Sequence, residues 1–236
     1  MTALVLLPGL DGTGLLFADF VAELGGEFEA IVLPYPTDEA LTYAQLEATA
    51  RASLPIDRPF ALLGESFSGP IAISIAASRP PGLVALILCC SFARYPRRIL
   101  RLLRPLASVV PVKGRLVSLL RGIVSPRRVS NEVQAKLAEA NAKVSRPVLR
   151  RRIKELLRID ARSQLRKVDV PVLYLAASQD AVVPFGACRE ICACLPSVRV
   201  VKLESPHFLL QAIPRQAANA IRDFLKPAQT HPFGRA

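Results

Sequence analysis

Ser66 lies in the stretch LLGESFSGPIA, residues 62–72, between two apolar runs and among small residues. A serine hydroxyl is a poor nucleophile until a base takes its proton. The base in turn works best when a carboxylate fixes its tautomer. The chain has only two histidines. His231 falls in the terminal stretch AQTHPFGRA, which reads as a loose tail, so His207 in SPHFLLQ is the candidate base. Asp180 in SQDAVVP is the candidate carboxylate. These three residue types together make a serine nucleophile workable at neutral pH.

Such a reading requires elements that bring three distant residues to one place. The first 94 residues alternate short apolar runs with helical patterns. ALVLLP (3–8), EAIVLPYP (29–36), FALLGE (60–65) and LVALILCC (83–90) read as strands buried on both faces. LLFADFVAEL (15–24), TYAQLEATARASL (42–54) and SGPIAISIAAS (68–78) read as helices between them. The rhythm resumes with strands PVLYLAA (171–177) and RVVKLE (199–204), and with helices GACREICACL (186–195) and PRQAANAIRDFL (214–225). This alternation predicts an α/β fold: a mostly parallel sheet of about six strands with helices on both faces. Functional groups in open parallel sheets gather beyond the carboxyl ends of the strands. Ser66, Asp180 and His207 each follow a predicted strand. Asp160 and Asp169 precede strand five and are set aside. No aspartate follows strand four, where Cys90, Ser91 and Phe92 stand. Glu65 adjoins Ser66, but the alternation of side chains along a strand turns it elsewhere.

Gly64-Glu65-Ser66-Phe67-Ser68 resembles the nucleophile elbow of the α/β-hydrolase superfamily, whose G-x-S-x-G turn joins a strand to a helix. The order serine, acid, histidine also matches that family, and the resemblance extends over nearly the whole chain. It implies an α/β-hydrolase fold without the first two strands that members typically carry, here beginning at Ala3. It also implies an esterase, lipase or thioesterase activity with catalytic Ser66, Asp180 and His207. The oxyanion would be received by the backbone N–H of Phe67, at a helix start, and of Leu10 in the loop PGLDGTG. Ser68 departs from the family's glycine, although Gly69 follows directly. No metal or organic cofactor is implied. PGLDGTG lacks both the Lys-Ser/Thr of a phosphate-binding P-loop and the G-x-G-x-x-G order.

Residues 95–167 break the pattern with four helical stretches, and they hold 20 Lys and Arg against 4 Asp and Glu. The rest of the chain balances slightly negative, so the net charge of +12 belongs to this block. It looks like the helical cap that hydrolases of this kind carry. The expected organisation is therefore 1–94 as the first part of the core, 95–167 as the basic cap, and 168–236 as the second part. Stripes Ile99, Leu102, Leu103, Leu106 and Leu149, Ile153, Leu156 are expected to cover the site and shape an acyl pocket. The arginines suit a solvated outer face, an anionic substrate such as an acyl-CoA or a carrier-bound acyl chain, or an acidic membrane surface. The scarcity of aromatic residues in the block argues against nucleic acid.

The five cysteines are odd in number and form no CxxC pair, and no apolar run reaches the length of a membrane span or a signal peptide. These features predict a cytoplasmic protein with free thiols. The substrate is expected to be a small acyl ester or thioester. Two alternatives stand beside hydrolysis: an acyltransferase using the same three residues, and a non-catalytic ligand-binding or membrane-surface protein on a hydrolase scaffold.

Overall fold

The computed structural model describes residues 1–96 and 129–229. Among these described residues, six strands form one parallel sheet: β1 (Ala3–Leu7), β2 (Glu29–Val32), β3 (Phe60–Glu65), β4 (Leu83–Cys89), β5 (Val172–Ala177) and β6 (Arg199–Leu203). Their spatial order is β2-β1-β3-β4-β5-β6. This is the parallel sheet with helices on both faces that the alternation of strands and helices predicts.

The strands read as continuous apolar runs because both faces are covered. Val5, Leu7, Leu62, Leu86 and Leu88 enter one hydrophobic core, whereas Leu4, Leu6, Leu63, Ile87 and Leu175 enter the other. The first core is closed by α2 (Tyr43–Ala52), α3 (Gly69–Ala77), the short α6 (Arg162–Leu165) and α7 (Gly186–Cys194), through Leu46, Ile71, Leu165 and Ile191. The second is closed by α1 (Ala18–Glu23), the short α8 (Leu209–Ala212) and α9 (Pro214–Gln229), through Phe20, Leu209, Ala217, Ile221 and Leu225. No helix among the described residues is long and apolar enough to cross a membrane.

Several boundaries differ from the sequence reading; the closing helix, expected over 214–225, runs on to Gln229. The second strand stops at Val32, because Pro34 and Pro36 carry no N–H for a ladder. The intervening Leu33 and Tyr35 instead donate to the carbonyls of Leu6 and Gly12. The helix over residues 15–24 opens as a 3₁₀ turn, Leu15–Phe17, before α1.

Between β4 and β5 the chain leaves the sheet and returns. Ala161 N–H donates to the Ala93 carbonyl beside an isolated bridge between Arg94 and Asp160, which ties the two ends of the excursion together. Within it stand α4 (Asn131–Ala142) and α5 (Arg146–Leu156), capped by the hydroxyls of Ser130 and Ser145 at the N–H groups of Val133 and Val148. Ile153 and Leu156 pack against Phe92, Tyr95 and Val183, beside the β5–α7 loop. The stretches around Ile99, Leu102, Leu103 and Leu106, and His231, lie outside the described residues.

Candidate active site

β3 runs directly into a 3₁₀ turn, Ser66–Ser68, and then into α3. This reversal forces Ser66 into the left-handed region at φ 46°, a conformation that costs roughly 1–3 kcal/mol for a residue with a side chain. The packing around the turn holds it there. A Cβ on Gly64 would lie 2.8 Å from the Ala72 side chain and 2.9 Å from the Ser68 carbonyl. One on Gly69 would lie 1.7 Å from Ser91 Oγ. That same Ser91 hydroxyl donates to the Ser66 carbonyl over 2.6 Å, and Tyr174 Oη donates to the Ser91 carbonyl over 2.6 Å. Glycine is therefore required at both 64 and 69. At Ser68, where the resemblance to the hydrolase elbow would place glycine, the side chain has room and partners: its hydroxyl donates to the Pro8 carbonyl and receives the Tyr35 hydroxyl at 2.7 Å. The elbow is thereby tied to the loop after β1.

The structure brings the three distant polar residues together. Ser66 Oγ lies 2.9 Å from His207 Nε2, and His207 Nδ1 lies 2.8 Å from Asp180 Oδ2. A carboxylate only accepts, so Nδ1 carries the proton and Nε2 is free to accept from the serine. The other oxygen of Asp180, Oδ1, accepts the N–H groups of Val182 at 2.8 Å and Val183 at 2.7 Å, which holds the carboxylate plane. The loops bearing Asp180 and His207 are joined by Gln179 N–H donating to the Ser205 carbonyl at 3.0 Å. Both side chains are nearly shielded from water.

Phe67, the residue after the serine, is buried between Tyr43, stacked at 4.6 Å, and the edge of Tyr35. Its carbonyl accepts from Tyr43 Oη at 2.9 Å. Its N–H sits in the first turn of the helical segment, where donors lack intrahelical partners. In the loop after β1, Gly12 N–H donates to the Gly9 carbonyl at 3.1 Å, closing a turn around Leu10 and Asp11. The N–H of Leu10 has no acceptor among the described residues.

Sequence reasoning missed two neighbours of the site. Glu65 is buried beneath the loop after β1: it accepts from Gln211 Nε2 at 3.0 Å and from the Gly9 N–H. Burial pushes its carboxyl up to about 7, with Asp11 adding to the rise, while Gln211, His207 and Gly9 oppose it. The expectation that it turns away holds only in that it leaves the serine itself; it remains coupled to the site. Cys90, also at positive φ, has a ligand atom within 4.8 Å of those of Asp180 and His207. No histidine lies near a cysteine in the sequence, but the ends of β4, β5 and β6 make them neighbours.

A family model described as serine aminopeptidase, S33, matches residues 39–206. The chain is 28% identical to a pimeloyl-[acyl-carrier protein] methyl ester esterase of Neisseria meningitidis serogroup A, over 98% of this chain and 78% of that protein. A pimeloyl-[acyl-carrier protein] methyl ester esterase from serogroup C is 27% identical over 94% and 92% of the two chains. Among solved structures, MenH from S. aureus superposes with a TM-score of 0.81 at 17% identity, covering 97% of this chain and 94% of its own. The enol-lactonase from Burkholderia xenovorans superposes with a TM-score of 0.75 at 20% identity, covering 95% and 91%.

Two outcomes follow from this geometry. Gly69→Ala pushes on Ser91 and through it on the Ser66 carbonyl, and is expected to lower stability by about 1–3 kcal/mol in thermal melts. Gly186→Ala, where a Cβ meets nothing within 4 Å, serves as the control and leaves stability nearly unchanged. Glu65 adds a pH signature. Its carboxyl stands at about 7 in the folded chain against an ordinary 4.5, so the native state holds the proton more tightly. The corresponding stability is fully present below about pH 4.5 and is lost as pH rises through about 7, roughly 3 kcal/mol in all. Glu65→Gln is expected to remove that slope, so that the stability difference between variant and wild type grows from about pH 5 to about pH 8. Parallel pH profiles would contradict the assignment.

Proposed function

We propose that this chain, which belongs to the serine aminopeptidase S33 family and has the α/β-hydrolase fold, uses Ser66, His207 and Asp180 to hydrolyse an ester on an acyl chain borne by a carrier protein. The chain is a serine ester hydrolase. The observation that carries the assignment of residues is the unbroken hydrogen-bond chain from the Ser66 hydroxyl through both nitrogens of His207 to Asp180.

In this reading Ser66 Oγ attacks the ester carbonyl carbon while its proton passes to His207 Nε2. Asp180 stabilises the imidazolium that forms. The carbonyl oxygen becomes an oxyanion and is received by the N–H groups of Phe67 and Leu10, dipoles already aimed before the charge appears. The tetrahedral adduct collapses, the C–O bond to the alcohol breaks, and the leaving oxygen takes the proton from Nε2. Water then attacks the acyl-Ser66 carbonyl, giving its proton to His207. Collapse of the second adduct releases the carboxylic acid and returns the proton to Ser66.

The substrate class rests on the relatives and on the cap. Two relatives are named for the methyl ester of a pimeloyl acyl-carrier protein, and small esters of carrier-bound acyl chains are the class we assign here. Arg146, Arg150, Lys154 and Arg158 recur every four residues along and just beyond α5, forming one stripe. Arg146, Arg150 and Arg158 are exposed and have no acidic partner among the described residues. Such a stripe steers an acidic carrier towards the site and orients its tethered acyl chain.

A fluorophosphonate probe tests the residue assignment. It should add covalently to the wild-type chain and not to Ser66→Ala. Ser66→Ala and His207→Ala should each lower kcat by about 10⁴–10⁶; near-normal turnover in either would overturn the triad. The carrier assignment is tested by comparing a methyl acyl ester on acyl carrier protein with a free p-nitrophenyl ester. Reversing charge at Arg150 and Arg158 together is expected to cut kcat/KM for the carrier-bound ester at least about tenfold more than for the free one, with the difference shrinking as salt rises. Equal losses at all salt concentrations would point away from a carrier.

A further inference from the structure

Arg152 lies on the opposite side of α5 from the exposed stripe. It is only 1% exposed, the largest side chain so fully enclosed in the described structure. Its Nη1 donates to the Leu10 carbonyl at 3.0 Å and to the Asp11 carbonyl at 2.6 Å, and its Nη2 donates to the Pro36 carbonyl at 2.9 Å. The guanidinium also stands 5.7 Å from the centre of the Tyr35 ring. Among the described residues no carboxylate forms an ion pair with it. The Asp11 carboxylate is instead taken by the backbone and hydroxyl of Thr13. Fixing a helix to a loop does not call for a buried cation, since an apolar contact would do so without the cost of desolvating a charge. The arrangement is explained by what the three carbonyls control.

Gly9, Leu10, Asp11 and Gly12 form the turn after β1. The Gly9 carbonyl is occupied by Gly12 N–H, and the next two carbonyls, of Leu10 and Asp11, are both held by Arg152. In a trans peptide the C=O and N–H point in opposite directions. Fixing the Gly9 carbonyl therefore aims the Leu10 N–H, and fixing the two following carbonyls prevents the turn from flipping. Gly12 belongs to the same device: at φ 70°, a Cβ there would lie 2.4 Å from Arg152 Nη1. Removing the side chain at 12 is what lets the guanidinium reach the turn.

We infer that Arg152 is the positioning residue of the oxyanion hole, a cap side chain that, by holding the Leu10 and Asp11 carbonyls, keeps the preceding Gly9–Leu10 peptide turned so that the Leu10 N–H receives the developing negative charge. The inference rests on the reading of Ser66 as the nucleophile of an ester hydrolase. Arg152 touches no reacting atom; it acts through the turn. Its full positive charge, close behind that turn and shielded from water, also favours negative charge in front of it. The site is thus complete only when α5 is docked.

The experiment compares wild type, Arg152→Met and Arg152→Lys on p-nitrophenyl butyrate, with affinity for an aryl trifluoromethyl ketone as second readout. That ketone adds to the serine as a tetrahedral oxyanion. Arg152→Met is expected to lower kcat about 10- to 100-fold, below the loss of about 10²–10³ seen when an oxyanion donor is removed outright. It should weaken the ketone by a similar factor and leave KM within about threefold. Arg152→Lys keeps the charge and one donor group, so it should lose several-fold in both kcat and ketone affinity. If Arg152→Met does not fold, Arg152→Lys decides. Wild-type kcat and ketone affinity in a folded variant, or a loss confined to KM, would overturn the inference. A wild-type chain that hydrolyses no ester and takes no fluorophosphonate would instead overturn the reading of Ser66.

Discussion

The backbone of Ser66 at φ 46° is the constraint from which the rest of the site follows. A serine in relaxed geometry at the end of β3 would continue the strand and point its hydroxyl along the sheet face. The left-handed turn lifts it to the tip of the reversal, where His207 meets it. That conformation is not stable alone, and the surroundings enforce it. Gly64 and Gly69 leave no room for a side chain, Ser91 takes the Ser66 carbonyl, and Ser68 anchors the turn to Pro8. The strain is offset by packing spread over β1, β3, α3 and β4, so Ser66 is held rigid because the sheet is.

The parallel sheet explains how residues at 66, 180 and 207 come to share one volume. Each lies just past the carboxyl end of its strand, and β3, β4, β5 and β6 are consecutive neighbours. The pairing of β5 with β6 carries on past the strands in the Gln179–Ser205 bond, which fixes the separation of Asp180 and His207. β4 sits between the strands that lead to Ser66 and Asp180 and contributes Ser91 beneath Ser66 and Cys90 beside Asp180. The same topology that makes the core dry on both faces delivers the polar groups to one rim.

Much of this was legible in the sequence because it rests on local signals. Apolar runs bounded by Pro and Gly mark the strands, and a strand end followed by Ser, Asp or His marks the rim. The second strand was overextended because LPYP keeps an apolar look while its prolines cannot pair. Other features depend on long-range packing, which periodicity does not encode. Alternation turns Glu65 away from Ser66 but does not reveal the buried niche beside Gly9 that receives it. Ser68 looks like a defect in the elbow motif until Tyr35 and Pro8 are seen to use its hydroxyl. Arg152 stands in a run of three arginines, RRR at 150–152, whose other members are not buried, so composition alone assigns it to a solvated face. One signal does separate it: in α5 it lies four residues after the buried Val148, on the inward stripe.

This two-sidedness of α5 bears on what a cap does. A lid that only excludes water needs an apolar underside and nothing more. α5 has that underside in Val148, Ile153 and Leu156, yet it also buries a cation against the turn after β1 and sends Glu155 to the backbone N–H of Tyr43, whose ring stacks on Phe67. Both proposed oxyanion donors, Leu10 and Phe67, are therefore in contact with groups that the same helix holds. The outer stripe of the helix is free to meet an anionic partner while its inner stripe sets the turn. A partner that binds the outer stripe and steadies α5 would steady both donors by the same contacts, because no flexible segment intervenes between the two faces of one helix. Recognition of the substrate's carrier and stabilisation of the transition state would then share a single structural element, and any selectivity for carrier-bound esters would appear in kcat as well as in KM.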